Sequence, residues 1–347
     1  MAYSTISRST DHFRTKLYAG NSTASRGITF DESANMKPDW VWIKERDDTI
    51  NHYGFDAVRG ATKGLSQNIT NAEVTRDSTW FNSFDTNGFT IGAEDNINDT
   101  GDNYVAWCWK AANSSGSSNS DGSVTSTVSA NTTAGFSIVK FNVGNSGGNI
   151  TVGHGLGAAP KMIIIKSLAD NYNWDVYVEN VGNNKRLILN DTTTESSSTF
   201  MNNTSPTSSV FTFKQTHYGN NADAIAYCFK NITGYQKIGQ YYGNGVAGDP
   251  YVYLGFKPTF LLIKNVAATQ SWRLVDIKRN GFNPNNHMLY PNLSNAESTS
   301  EYVIDILSHG FRVVSTDAGV NGSSNRHIYL AIGQTAVGNN NIACTAR

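Results

Sequence analysis

Charge and cysteine are scarce in this sequence, and long apolar runs are missing. Only 16% of the 347 residues are charged, and 27 Lys and Arg stand against 28 Asp and Glu, for a net charge of −1. A nucleic-acid binder needs a dense basic stripe to displace phosphate counterions. Lys and Arg here never run longer than a pair, so nucleic acid is not an expected partner. No apolar run nears the roughly 20 residues that span a bilayer, so membrane insertion is not expected either. The opening Met1 to Arg8 lacks the apolar core of a secretory signal, which excludes export by that route as an expectation. The cysteines Cys108, Cys228 and Cys344 are too few and too far apart for a disulfide framework or a zinc knuckle, and read as reduced, buried residues.

What the chain does have is 11% aromatic residues among runs of Asn, Ser, Thr and Gly, enough to bury several cores. It also has an internal repeat. An aromatic strand running into Gly-Asn occurs at Leu17 to Asn21, Phe141 to Asn145 and Tyr241 to Asn244. A proline then leads a short apolar strand ending in Ile-Lys: Pro38 to Lys44, Pro160 to Lys166 and Pro258 to Lys264, with identical spacing. His52, Trp174 and Trp272 follow the lysines at one offset. Asp56 with Arg59 and Asp276 with Arg279 come next in the first and third copies, where the second has Val178 and Val181. A Gly-Phe strand opener stands at Gly88-Phe89 and Gly310-Phe311, with Phe211 as the second-copy equivalent. Each copy closes on a strand around an alanine: Ala106, Ala226 and Ala331.

The runs of Val, Ile, Thr, Phe, Tyr and Trp bounded by Asn-Gly, Gly-Asn and Asp-Gly predict β-strands and hairpins throughout. Tyr104 to Lys110 is apolar on both faces, which predicts a strand in the middle of a sandwich rather than at its edge. Short helical turns fit residues 60–66 and 296–307. The expected fold is all-β, with three repeated antiparallel β-sandwich (jelly-roll-like) domains in tandem. They occupy 1–110, with a short N-terminal arm before Phe13, then 136–233 and 234–347. The Ser, Gly and Asn-rich stretch 111–135 reads as a flexible linker that leaves the first domain hinged. The Ile-Lys lysines are expected at the sandwich rim with their stems on aromatics.

The opening Met1 to Ile6, Phe13 to Tyr18, Lys37 to Lys44 and Asp56 to Gly60, together with Gly153 to Pro160 and Tyr104 to Trp107, resemble repeat-containing, tail-fibre-like virion structural proteins of marine bacteriophages such as cyanophages and pelagiphages. The resemblance implies a non-enzymatic protein on the exterior of a phage particle, made in the host cytoplasm. It implies other virion proteins as partners, a host-surface glycan or protein as the contact, and a homo-oligomer, by default a trimer. The alternative is a capsid decoration or architectural protein bracing neighbouring subunits. No catalytic residues come with the resemblance, and no Gly-x-Ser-x-Gly elbow is present.

Candidate sites each have a structural counterpart reading. Asp95, Asp99 and Asp102 offer oxygen ligands for a calcium ion, and no other cofactor is expected, yet Asn, Asp and Gly are also what a hairpin needs. Asp56, Arg59, Asp276 and Arg279 suit a ligand, and equally suit bidentate ties between a strand end and a loop. Tyr241, Tyr242, Trp80 and Tyr290 suit stacking on sugar rings, and equally suit core filling. The Asn-x-Ser/Thr triplets at Asn21, Asn68, Asn190 and Asn231 follow from composition.

Overall fold

The apolar-on-both-faces strand places itself at the centre of each copy and fixes what surrounds it. A computed structural model describes residues 4–283 and 285–334, and it is all-β with several antiparallel sheets. In the first copy the opening strand Phe13–Ala19 pairs with the closing strand Asn103–Trp109, which pairs with the Ile-Lys strand Trp40–Glu45, which pairs with a fourth strand, Tyr53–Asp56. The second copy repeats that order with Phe136–Asn142, Asp223–Phe229, Met162–Ser167 and Asp175–Val178. The third does so with Gln236–Tyr242, Arg326–Gln334, Lys257–Asn265 and Arg273–Asp276.

The two faces of the closing strand enter different cores. Tyr104, Ala106 and Cys108 face a local core against the small sheet Arg26–Thr29, Gly88–Ile91 and Phe81–Asp85. The corresponding local cores lie under Asn149–Gly153 with Val210–Lys214, and under Tyr251–Tyr253 with Gly310–Val313 and Ile304–Leu307. Val105, Trp107 and Trp109 point the other way, into one core shared with Ile225, Tyr227 and Phe229 of the second copy and Ile328, Leu330 and Ile332 of the third. Trp40 stacks on Tyr227 at 4.2 Å between ring centroids, and Phe13 meets Phe260 at 5.3 Å. Each such buried side chain is worth about 1.5–3 kcal/mol of transfer free energy, so the common core binds the first copy to the others instead of leaving it hinged.

Several expectations are corrected here. Residues 111–135 contain the strands Ser117–Asn119 and Ser126–Asn131, which extend the second copy's sheet beyond Phe136–Asn142. Small hydroxyl side chains suit a sheet margin with little apolar cover: Ser126 and Val128 are buried on one face and Ser129 on the other, and Ser126 Oγ donates to Gly153 O at 2.8 Å. Within the arm, Ser4 and Ile6 are buried, and Ser9 Oγ bonds Gln334 at 3.0 Å. Among the described residues the α-helical turns fall at Asp95–Asn98 and Ala318–Asn321 and 3-10 turns at Ser9–Asp11 and Gln215–His217, while 60–66 and 296–307 contain the strands Lys63–Ser66 and Ile304–Leu307.

The Ile-Lys lysines are not at a rim either. Lys44, Lys166 and Lys264 are fully buried. Each ammonium folds back onto loop carbonyls: Glu45 and Asp48 for Lys44, Ser167 and Asp170 for Lys166, Gln270 and Thr192 for Lys264, at 2.5–3.1 Å. Burial pushes each pKa down to about 8. The Gly-Phe opener also has a steric cause. A Cβ on Gly88 or Gly310 would lie 2.0 Å from the carbonyl oxygen of Ile28 or Val252 on the neighbouring strand.

Candidate functional site

The repeated polar residues face inward and close the three copies on one another. Asp56 accepts Arg59 Nε at 2.5 Å and the Tyr227 hydroxyl of the second copy at 2.8 Å. Asp276 accepts Arg279 Nε at 2.6 Å and the Trp107 indole N–H of the first copy at 3.0 Å. In both copies the second carboxylate oxygen takes the backbone N–H groups two and three residues on. Burial alone would raise the Asp276 pKa, but Arg279 more than offsets it, so the carboxylate titrates below its ordinary range. At the third junction Val178 replaces the aspartate, and Leu330 replaces the aromatic donor in register; both lie in the shared core. Asp56, Arg59, Asp276 and Arg279 are therefore inter-copy ties with almost no surface available to a ligand.

His52, Trp174 and Trp272 form a second ring of ties. Trp174 Nε1 donates to Ser66 O of the first copy at 2.9 Å, and Trp272 Nε1 to Ile188 O of the second at 2.8 Å. His52 Nε2 meets Tyr290 O of the third at 3.1 Å. Trp42 Nε1, which can only donate, bonds His52 Nδ1 at 2.9 Å, so Nε2 carries the proton and burial keeps the ring neutral. Asn68, Asn190 and Asn292 hold the three residues in place, each accepting the backbone N–H of its partner at 2.8–2.9 Å. Sequence reasoning missed these asparagines by assigning Asn68 and Asn190 to composition. The available signal was an Asn-x-Ser/Thr triplet after each aromatic, in all three copies.

The surface shows a different asymmetry. Among the described residues Tyr242, Tyr251, Tyr253, Phe282 and Tyr302, between 46% and 75% exposed, belong to the third copy, against Tyr172 at 37% in the second. Tyr251 and Tyr253 alternate with buried Val252, so both stand on the outer face of the small sheet. The registered positions are Gly27 and Thr29 in the first copy and Thr151 and Gly153 in the second. Beside Tyr251 in register lies Arg312, paired at 2.6 Å with Asp305 on the next strand, and Tyr302 reaches the same carboxylate at 3.4 Å. The result is an aromatic platform edged by an ion pair. Of the aromatics picked from sequence, only Tyr242 is on the surface. Tyr241 is buried with its hydroxyl on Val320 O at 2.7 Å, Trp80 is buried beneath Arg76, and Tyr290 is half-buried against Glu301 and Arg273.

Asp95, Asp99 and Asp102 are not gathered together as one ligand set. Asp95 begins a short helical turn that Asp99 ends, and Asp99 Oδ1 accepts Thr100 N at 2.7 Å. Burial and the charges of Asp99, Asp47 and Asp48 push the Asp102 pKa up. Burial, with Asp102 as the next cause, raises Glu45 to about 7. Among the described residues no group of three or more His, Cys, Asp or Glu has the arrangement of a metal site. Cys108 and Cys228 are free and buried, and Cys344 lies outside the described residues.

This architecture, three sheets of one strand order closed on a shared core, is that of an all-β, sandwich-like repeat protein. The chain belongs to the family described as a domain of unknown function (DUF7483), whose model matches residues 8–335. No curated protein and no solved structure matches it.

Proposed function

We propose that this chain is a non-enzymatic structural protein of a marine bacteriophage virion, a tail-fibre or tail-tip component that contacts the host surface. Its three copies act as jelly-roll-like sandwiches in tandem, and it assembles on the particle exterior with other virion proteins, as a homotrimer. The observation that carries this reading is the aromatic platform of the third copy. Tyrosines stand on one copy at positions where the other two copies carry Gly or Thr, so closure of the fold does not require them. Exposed Tyr rings bind through apolar faces and hydroxyl hydrogen bonds together, which suits a surface of low net charge in salty water, where long-range attraction is screened. The resemblance of Lys37 to Lys44 and the opening segment to tail-fibre-like repeat proteins supports the virion assignment.

The test is competition. Purified chain is expected to bind host cells and block phage adsorption, and the exposed double substitution Tyr251→Ala/Tyr253→Ala is expected to abolish both while leaving the unfolding midpoint unchanged. Failure of the native chain to do either sinks the reading.

A further inference from the structure

The third copy also differs by an insertion. The asparagine that fixes the tie residue lies 16 positions after it in the first two copies and 20 positions after it in the third. The extra residues fall in the loop after Arg279, which Asn283 pins to the outer margin of Ile304–Leu307 through both Ile306 N and Ile306 O, at 3.0 and 2.8 Å. Between loop and strand lies a cavity of about 310 Å³. Its apolar lining comes from Ile277, Ile306 and Phe282, the last 75% exposed, and its polar lining from Asn280, Asn283 and Asn285. Asn285 is only 1% exposed, and its Nδ2 donates to Asp276 O at 3.0 Å, while Oδ1 has no partner in the protein. A buried acceptor without a donor costs about 1–3 kcal/mol, so this atom calls for a hydroxyl or amine from outside.

We propose that the loop after Arg279 forms a binding pocket for a single neutral pyranose, a terminal sugar of a host-surface glycan. A sugar ring has an apolar C–H face that Phe282, Ile277 and Ile306 fit, and a rim of hydroxyls, one of which donates to Asn285 Oδ1 once a small turn of that side chain brings the buried oxygen to the cavity wall. The lining contains no carboxylate, which disfavours a cation. Lys257, also in the lining, already has an interaction within the protein. The cavity volume is at the lower end of small-ligand pockets, about 300–1,000 Å³, and matches one ring better than an oligosaccharide.

This inference rests on the host-contact reading, and the test separates the two. The full chain is titrated with a panel of methyl hexopyranosides and N-acetylhexosaminides, with binding read by saturation-transfer NMR. At least one glycoside is expected to bind saturably, and Phe282→Ala, at an exposed position, is expected to weaken it about tenfold without shifting the unfolding midpoint. Asn285→Leu, accepted only if its unfolding midpoint shows a folded chain, is expected to do the same. No binding across the panel, or equal binding by native chain and Phe282→Ala, overturns the pocket. Glycoside binding lost in Phe282→Ala, with no chain adsorbing to host cells, upholds the pocket and overturns attachment.

Discussion

Asp56→Val tests whether the repeated Asp-x-x-Arg is a structural tie. In the native chain the Asp56 carboxylate receives four donors: Arg59 Nε, the Tyr227 hydroxyl and the backbone N–H groups of Val58 and Arg59, at 2.5–3.1 Å. Substitution strips them all and leaves a guanidinium that is 1% exposed with only Glu73 and Gly54 O as partners. Breaking a buried pair by removing one member costs about 3–5 kcal/mol when the other charge is left uncompensated, and the remaining contact with Glu73 sets the expectation at the low end of that range. Replacing both members by apolar groups is often neutral, and the second copy already does this with Val178 and Val181. The triple substitution Asp56→Val/Arg59→Val/Tyr227→Phe, which also removes the orphaned hydroxyl, is therefore expected to lie within about 1–2 kcal/mol of the native chain. Urea unfolding followed by tryptophan fluorescence and far-UV circular dichroism measures both. A single substitution costing under about 1 kcal/mol, or a triple no more stable than the single, refutes the reasoning.

Three further outcomes follow from the interior. Lys44, Lys166 and Lys264 have folded pKa values of about 8, below the unfolded value of about 10.4, so between these limits only the unfolded chain holds the protons. Stability is thus expected to rise from pH 8 to pH 10, by up to about 1.4 kcal/mol per pH unit per lysine. Buried tyrosines such as Tyr235, whose pKa burial raises, reverse the trend above the ordinary tyrosine pKa of about 10. Lys166→Met should flatten a plot of unfolding midpoint against pH by about a third, taking the three lysines as equal contributors. Trp174→Phe leaves Ser66 O without its donor and Asn190→Ala leaves the Trp174 N–H without its acceptor; each is expected to cost about 1–3 kcal/mol in urea unfolding, against no change for Tyr251→Ala. In a Cys344→Ser chain, a thiol reagent should label Cys108 and Cys228 only after denaturation, since burial raises both thiol pKa values, Cys228 to about 12.

The repeat, the all-β character and the central position of the closing strand were legible because each rests on local pattern. Alternation in Tyr104 to Trp109 said that both faces are buried, and the two faces do enter two cores. It could not say that one of those cores is common to all copies, because a large apolar side chain looks the same whether its neighbour is in its own copy or another. The lysines were misread for a similar reason. An Ile-Lys strand end normally lets the ammonium reach water, and only the loop carbonyls that fold over Lys44, Lys166 and Lys264 make burial tolerable. Segment 111–135 was misread because Ser and Thr are poor in apolar surface, yet a strand at a sheet margin needs little of it.

The inter-copy ties also explain where the copies are free to differ. Tyr227 with Asp56 and Trp107 with Asp276 are polar solutions to one junction, and Leu330 with Val178 is the apolar solution at the third. Both members of a junction change together while the strand order around them stays the same. The outer faces carry no such coupling: the platform positions are Gly and Thr in one copy, Thr and Gly in another, Tyr and Tyr in the third. A four-residue lengthening after Arg279 leaves the tie of Trp272 to Ile188 intact, because Asn292 still fixes the Trp272 backbone from its shifted position. Recognition can therefore be concentrated in the third copy at no cost to the closure, and substitutions there should separate binding from stability where substitutions at the junctions cannot.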